Sequence, residues 1–154
     1  MKNGGGWTGS ATIGVAGQNN GFLYLGTDTT LNGGLVFTGS NSQLTYNSTP
    51  RILTLTSNAT LLRTGAGNSA FFDHLVNAGT VTVNGGTLNA SGNFTNSAGG
   101  NVTVSNGAIF SQTGTFTNAT GATALVSGTG SKLTIANVNN AGSLLADKQF
   151  VQGY

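Results

Sequence analysis

Hydrophobic and polar positions alternate in short bursts along the chain. Val81-Thr82-Val83 is followed by Asn84-Gly85-Gly86, then Thr87-Leu88-Asn89-Ala90, then Ser91-Gly92. Val102-Thr103-Val104 is followed by Ser105-Asn106-Gly107, then Ala108-Ile109-Phe110. A period of two with β-branched residues predicts short half-buried strands. The Asn-Gly and Gly-Gly steps between them supply the positive φ that sharp turns need. No amphipathic helix is evident at either end.

The bursts recur. Asn93-Phe94-Thr95-Asn96-Ser97 returns as Thr115-Phe116-Thr117-Asn118-Ala119 and, after an equal step, as Asn137-Val138-Asn139-Asn140-Ala141. Each copy leads through small residues to an apolar run: Val102-Thr103-Val104, Ala124-Leu125-Val126 and Leu144-Leu145. Extended backwards, the series takes Asn20, Asn41, Asn58, Asn77, Asn96, Asn118 and Asn140 as anchors, at a mean spacing of roughly 20 residues. A repeat of this length predicts a coil in which each turn of chain stacks on the last, rather than a row of hairpins. The expectation is an all-β parallel β-solenoid of about seven coils of roughly 20 residues. Val, Leu, Ile and Phe would stack inside, strands of successive coils would lie about 4.8 Å apart, and Asn side chains would ladder at the corners. The aromatics Phe71, Phe72, Phe94, Phe110 and Phe116 are expected in the core stack. A β-sandwich is the alternative that the irregular spacings of the early anchors keep open. In domain terms, residues 1–20 read as a Gly-rich arm and cap, and residues 21–154 as one solenoid domain.

Composition narrows the chemistry. Gly, Thr, Asn and Ser make up 82 of the 154 residues, whereas charged residues are 5 %. There is no Cys and no Glu, so disulfides, thiolate metal sites and Glu-based catalysis are excluded. With 37 % hydrophobic residues and a net charge of +2, the chain lacks the signature of disorder. Lys2, Arg51, Arg63, Lys132 and Lys148 are scattered, which argues against a nucleic-acid surface. No apolar run approaches the length of a membrane-spanning helix, so none is expected, and Met1 to Gly6 lacks the apolar stretch of a signal peptide.

The run from Asn77 to Ile135 resembles the strand repeats of filamentous-haemagglutinin-like proteins and autotransporter passenger domains of bacterial surfaces. Asn77-Ala78-Gly79-Thr80-Val81-Thr82-Val83-Asn84-Gly85-Gly86-Thr87-Leu88 and Gly114-Thr115-Phe116-Thr117-Asn118-Ala119-Thr120-Gly121 carry the likeness. The resemblance implies a right-handed parallel β-helix at a cell surface, serving adhesion or display. Those proteins run far longer than this chain.

Catalytic groups are few. Adjacent residues in an extended strand face opposite sides, so Asp73-His74 does not form a dyad, and no Gly-x-Ser-x-Gly elbow is present. Asp28, Asp73 and Asp147 fall in different coils, and paired-carboxylate chemistry is not expected. Gly65-Ala66-Gly67-Asn68-Ser69-Ala70 precedes a strand pattern instead of opening a helix, which removes it as a dinucleotide fingerprint. Gly128-Thr129-Gly130-Ser131-Lys132 reads as a turn. Thr pairs at 54/56, 80/82 and 115/117 do not recur at one register, which argues against an ice-binding array. Acceptor triplets for N-glycosylation begin at Asn47, Asn58, Asn89, Asn93, Asn101 and Asn118. Trp7, Tyr46 and Tyr154 are expected as end-capping or contact residues.

These readings converge on a non-enzymatic extracellular or cell-surface structural and adhesive solenoid, with no catalytic residue, metal or cofactor. Uncapped ends predict edge-to-edge pairing, either with identical subunits head to tail or with further coils of a longer rod. Surface glycans are a further expected partner. The alternative function is a carbohydrate-binding module of a phage tail spike or fibre.

Overall fold

In the computed structural model, residues 6–13, 21–46, 48–71 and 73–147 are described, and they contain eighteen strands and no helix. No helix among them is therefore long and apolar enough to cross a membrane. The strands come in threes. The first coil holds β1 (Gly6–Trp7), β2 (Ala11–Ile13) and β3 (Phe22–Leu25). The second holds β4 (Thr29–Leu31), β5 (Gly34–Phe37) and β6 (Ser42–Tyr46), and the third β7 (Ile52–Leu55), β8 (Thr60–Arg63) and β9 (Asn68–Phe71). The fourth has β10 (His74–Asn77), β11 (Thr80–Val83) and β12 (Thr87–Ala90). The fifth begins with β13 (Phe94–Asn96) and β14 (Asn101–Val104), then enters β15 (Ile109–Asn118), which bends into the sixth. There β16 (Thr123–Val126) precedes β17 (Lys132–Asn140), which bends into the seventh, and β18 (Ser143–Ala146) follows.

Strands pair in parallel with their equivalents one coil away, which excludes the sandwich. Three faces result. The first runs β1-β4-β7-β10-β13 and ends on the second halves of β15 and β17. The second runs β2-β5-β8-β11-β14-β16-β18. The third runs β3-β6-β9-β12 and ends on the first halves of β15 and β17. The described residues thus form a parallel β-solenoid of six complete turns, with the first two strands of a seventh.

The alternation places the core. On the second face Leu35, Leu61, Val81, Val102 and Ala124 stack inward in one row, while Val36, Leu62, Thr82, Thr103 and Leu125 stack outward. On the first face Leu53, Leu75, Phe94 and Phe116 form the inner row. Phe94 packs against Phe116 at 5.2 Å and edge-on against Phe110 of the third face at 5.6 Å, so the faces share one aromatic centre. Phe71, Phe94, Phe110 and Phe116 are buried as expected. Phe72, Asn20, Asn47, Lys2, Lys148 and Tyr154 lie outside the described residues.

The register between coils corrects the anchor series. The first-face row that ends on Asn140 runs Trp7, Leu31, Leu55, Asn77, Asn96, Asn118 and Asn140, so the first coils are longer than the later ones. Asn77, Asn96, Asn118 and Asn140 share this row, but the residues beneath them are Leu55 and Leu31, not Asn58 and Asn41. Asn41 instead holds a φ of 54° at a third-face corner, the left-handed conformation that Asn tolerates better than most residues. Asn58 lies exposed in the turn before β8. Both are turn residues, and sequence spacing alone did not separate turn asparagines from ladder asparagines.

Candidate functional site

The row at the C-terminal end of the first face is built from one repeated device. Asn77, Asn96 and Asn118 each close a strand and are fully buried. Asn77 Nδ2 donates to Asn96 Oδ1 at 2.8 Å, Asn96 Nδ2 to Asn118 Oδ1 at 2.9 Å, and Asn118 Nδ2 to Asn140 Oδ1 at 2.8 Å. The second proton of each amide goes to the backbone oxygen that opens the next coil's second-face strand. Asn77 reaches Asn101, Asn96 reaches Thr123, and Asn118 reaches Ser143, at 3.3, 3.0 and 3.0 Å. The ladder therefore has a direction: oxygens face the preceding coil and N–H groups the following one. Its base is closed, because Asn77 Oδ1 accepts the N–H of Gly79 at 3.1 Å. The acceptor triplet at Asn118 is sealed in this ladder and closed to modification in the folded protein.

At its other end, nothing among the described residues stacks on the last coil. Val138 continues the inner row of Phe116, and Leu144 that of Ala124, yet Val138 is 51 % and Leu144 45 % exposed where their predecessors are fully buried. Leu145 is also half exposed. Val126, Leu133, Ile135, Val138, Leu144 and Ala146 line a shallow apolar hollow over this end. Strands β17 and β18 end their sheets and have no partner on the far side among the described residues. Solvent-facing edges are usually blunted by charge, proline or short strands. From Leu133 to Ala146 there is neither a charged residue nor a proline, and β17 is long.

The titratable groups serve the backbone. Asp28 Oδ1 accepts the N–H of Ile52 at 3.0 Å and Asp73 Oδ1 that of Arg51 at 2.8 Å. His74 Nδ1 accepts the N–H of Asn93 at 2.9 Å, and Asn93 Oδ1 that of Thr115 at 3.1 Å. One corner of the solenoid is thus capped, coil after coil, by side-chain acceptors. Asp28 and Asp73 share this corner with one coil between them, a juxtaposition that sequence spacing did not show. Asp73 is buried, and burial, with the nearby Asp28 carboxylate adding to it, raises its carboxyl from the usual value against the Arg51 N–H and the Arg51 charge, which pull it down. Its Oδ2 has no partner. Among the described residues no group of three His, Asp or Glu side chains could hold a metal.

Arg63 is the unexpected core residue. It stands in the inner row between Phe37 and Val83 and is fully buried. Its guanidinium donates to the backbone oxygens of Phe37, Thr64, Ala66, Gly67 and Thr87, so the fork is consumed by the turn that precedes β9. Burial lowers its pKa. With its donors spent, it offers nothing to an outside anion. On the outer third face, Phe22 and Tyr24 stack 6.3 Å apart at 19° and are 51 % and 54 % exposed, beside Gln43 and Thr45.

Fold and site together define a parallel β-solenoid whose most distinctive surface is its C-terminal edge. Comparison with protein-family models, with curated proteins and with solved structures finds no match.

Proposed function

We propose that this chain is a non-enzymatic structural and adhesive solenoid of an extracellular or cell-surface rod, joined edge to edge to further β-structure. The C-terminal edge carries the reading: core-row side chains stand exposed on two strands that, among the described residues, have no partner on their far side and carry no charge from Leu133 to Ala146. Its carboxylates support a structural role, since Asp28 and Asp73 both cap backbone N–H groups. The surface location rests on the resemblance of residues 77–135 to bacterial exoprotein repeats.

Light scattering and electron microscopy over a concentration series test the joining surface. The edge should bind a hydrophobic dye, and Val138→Lys with Leu144→Lys should abolish that binding together with any association through this surface, because a charge on an inner row cannot be stacked dry. A wild-type chain that stays monomeric at high concentration and binds no hydrophobic dye would refute the proposal. The second reading is a carbohydrate-binding face, favoured by the exposed Phe22–Tyr24 pair. Loss of glycan-array signal on Tyr24→Ala, with the edge variant unaffected, would select it.

A further inference from the structure

The ladder also bears on what should lie on that edge. We infer that the C-terminal edge receives one further parallel coil with an asparagine in the row of Asn140, rather than either end of a second copy of this chain. The inference rests on the proposed joining role of this edge. Asn140 Oδ1 is already engaged by Asn118, and among the described residues nothing accepts from Asn140 Nδ2. By the pattern of the three asparagines before it, that amide calls for two acceptors: a side-chain oxygen in the same row and a backbone oxygen where the next second-face strand opens.

Self-stacking does not supply both. Head to tail, the first-face row of the second copy begins with Trp7, which pairs with Leu31, and tryptophan carries a side-chain donor but no acceptor. Edge to edge about a two-fold axis, the Nδ2 groups of two ladders would meet donor to donor. The chain's own fifth coil does supply them. The fourth coil passes from Asn77 to Thr80 by the same step that leads from Asn140 to Ser143. Residues 93–104 already stack on the fourth coil, giving Asn77 its acceptors at Asn96 Oδ1 and Asn101 O. Laid on the seventh coil in that register, Phe94 would cover Val138, Asn96 would meet Asn140, and Val102 and Val104 would cover Leu144 and Ala146.

The probe is a synthetic peptide of residues 93–104, against the same peptide carrying Asn96→Leu. Leu occupies this row at positions 31 and 55, so the change keeps the strand and removes the side-chain amide, and with it the acceptor for Asn140. Binding is read by hydrogen exchange of the β17 and β18 amides and by peptide fluorescence anisotropy. Each peptide is also tethered after Tyr154 by a flexible linker, which raises effective concentration if the free forms bind weakly. The asparagine peptide should protect β17 and β18 and bind at least about tenfold more tightly than the leucine peptide, the discrimination expected for a lost ladder bond. Asn140→Leu in the protein should erase that preference. Equal binding of both peptides overturns the inference and leaves the joining edge standing. Binding of neither, free or tethered, overturns both. Displacement of a peptide by excess wild-type chain through its N-terminal coil would show that a second copy is the occupant, and would overturn the inference.

Discussion

Replacing Asn96 by Leu tests whether the ladder holds the coils together or merely fills a corner. Asn96 donates to Asn118 Oδ1 and to the Thr123 carbonyl, and accepts from Asn77 Nδ2. The substitution strands the Asn118 oxygen in a fully buried position and takes one partner from the Thr123 oxygen, while Asn77 keeps its bond to Asn101. Each buried group left unsatisfied costs about 1–3 kcal/mol. The added apolar side chain returns about 1–2 kcal/mol. With the Asn118 oxygen and one Asn77 N–H both left without a partner, about 2–6 kcal/mol is lost against roughly 1–2 returned, and the net loss should centre on about 2–3 kcal/mol. Steric misfit does not confuse the reading, since Leu31 and Leu55 already occupy this row. Asn140→Leu is the internal control. It removes a single accepted bond at an exposed position, Asn118 Nδ2 keeps the Ser143 oxygen, and the cost should stay below about 1 kcal/mol. Urea unfolding followed by far-ultraviolet circular dichroism measures both midpoints. An Asn96→Leu midpoint at or above wild type, or an equal loss at the two positions, would refute the reasoning.

Other outcomes follow from the same contacts. The raised pKa of Asp73 means the folded state holds its proton more tightly than the unfolded chain. Stability from this group is then complete below the unfolded value of about 3.9 and is lost as pH rises through the folded one. Asp73→Asn keeps the acceptor for Arg51 and removes the charge, so it should raise Tm at pH 7 and do so less at pH 4; an equal shift at both would contradict this. Arg63→Met should cost about 3 kcal/mol or more by orphaning turn carbonyls, and Arg63→Lys should recover only part, since an ammonium cannot span five acceptors; full recovery with Lys in thermal melts would count against the fork. Gly92→Ala drives a Cβ into the Asp73 backbone oxygen, so soluble yield and Tm should both fall, by about 1–3 kcal/mol in stability; an unchanged melt would mean the coils are not this closely stacked.

Much of this architecture was legible in the residues themselves. The strands around Val81, Val102 and Phe94, the corners at Asn84-Gly85-Gly86 and Asn106-Gly107, and the aromatic core of the C-terminal half follow from period-two alternation and turn chemistry. These features are local, and local preference is strong where Val and Thr alternate between glycines. Where successive coils keep nearly the same length, even the stacked asparagines could be picked out. The N-terminal half was less legible. A longer step from Ser42 to its partner Ser69 breaks the repeat, and turn asparagines at 41 and 58 imitate ladder positions.

By itself the sequence determined that the chain makes short strands, repeats them, and offers almost no charge for catalysis. What only the tertiary structure decided is which residues face one another across coils. Arg63 reads as a surface cation until its row proves to be the one of Phe37 and Val83. Asp28 and Asp73 read as distant until two long coils bring them to one corner. Val138 and Leu144 read as core until the stacking leaves them uncovered. The physical reason is common to all three: alternation fixes which side of its strand a residue takes, whereas its neighbours along the axis depend on the exact length of every loop between coils.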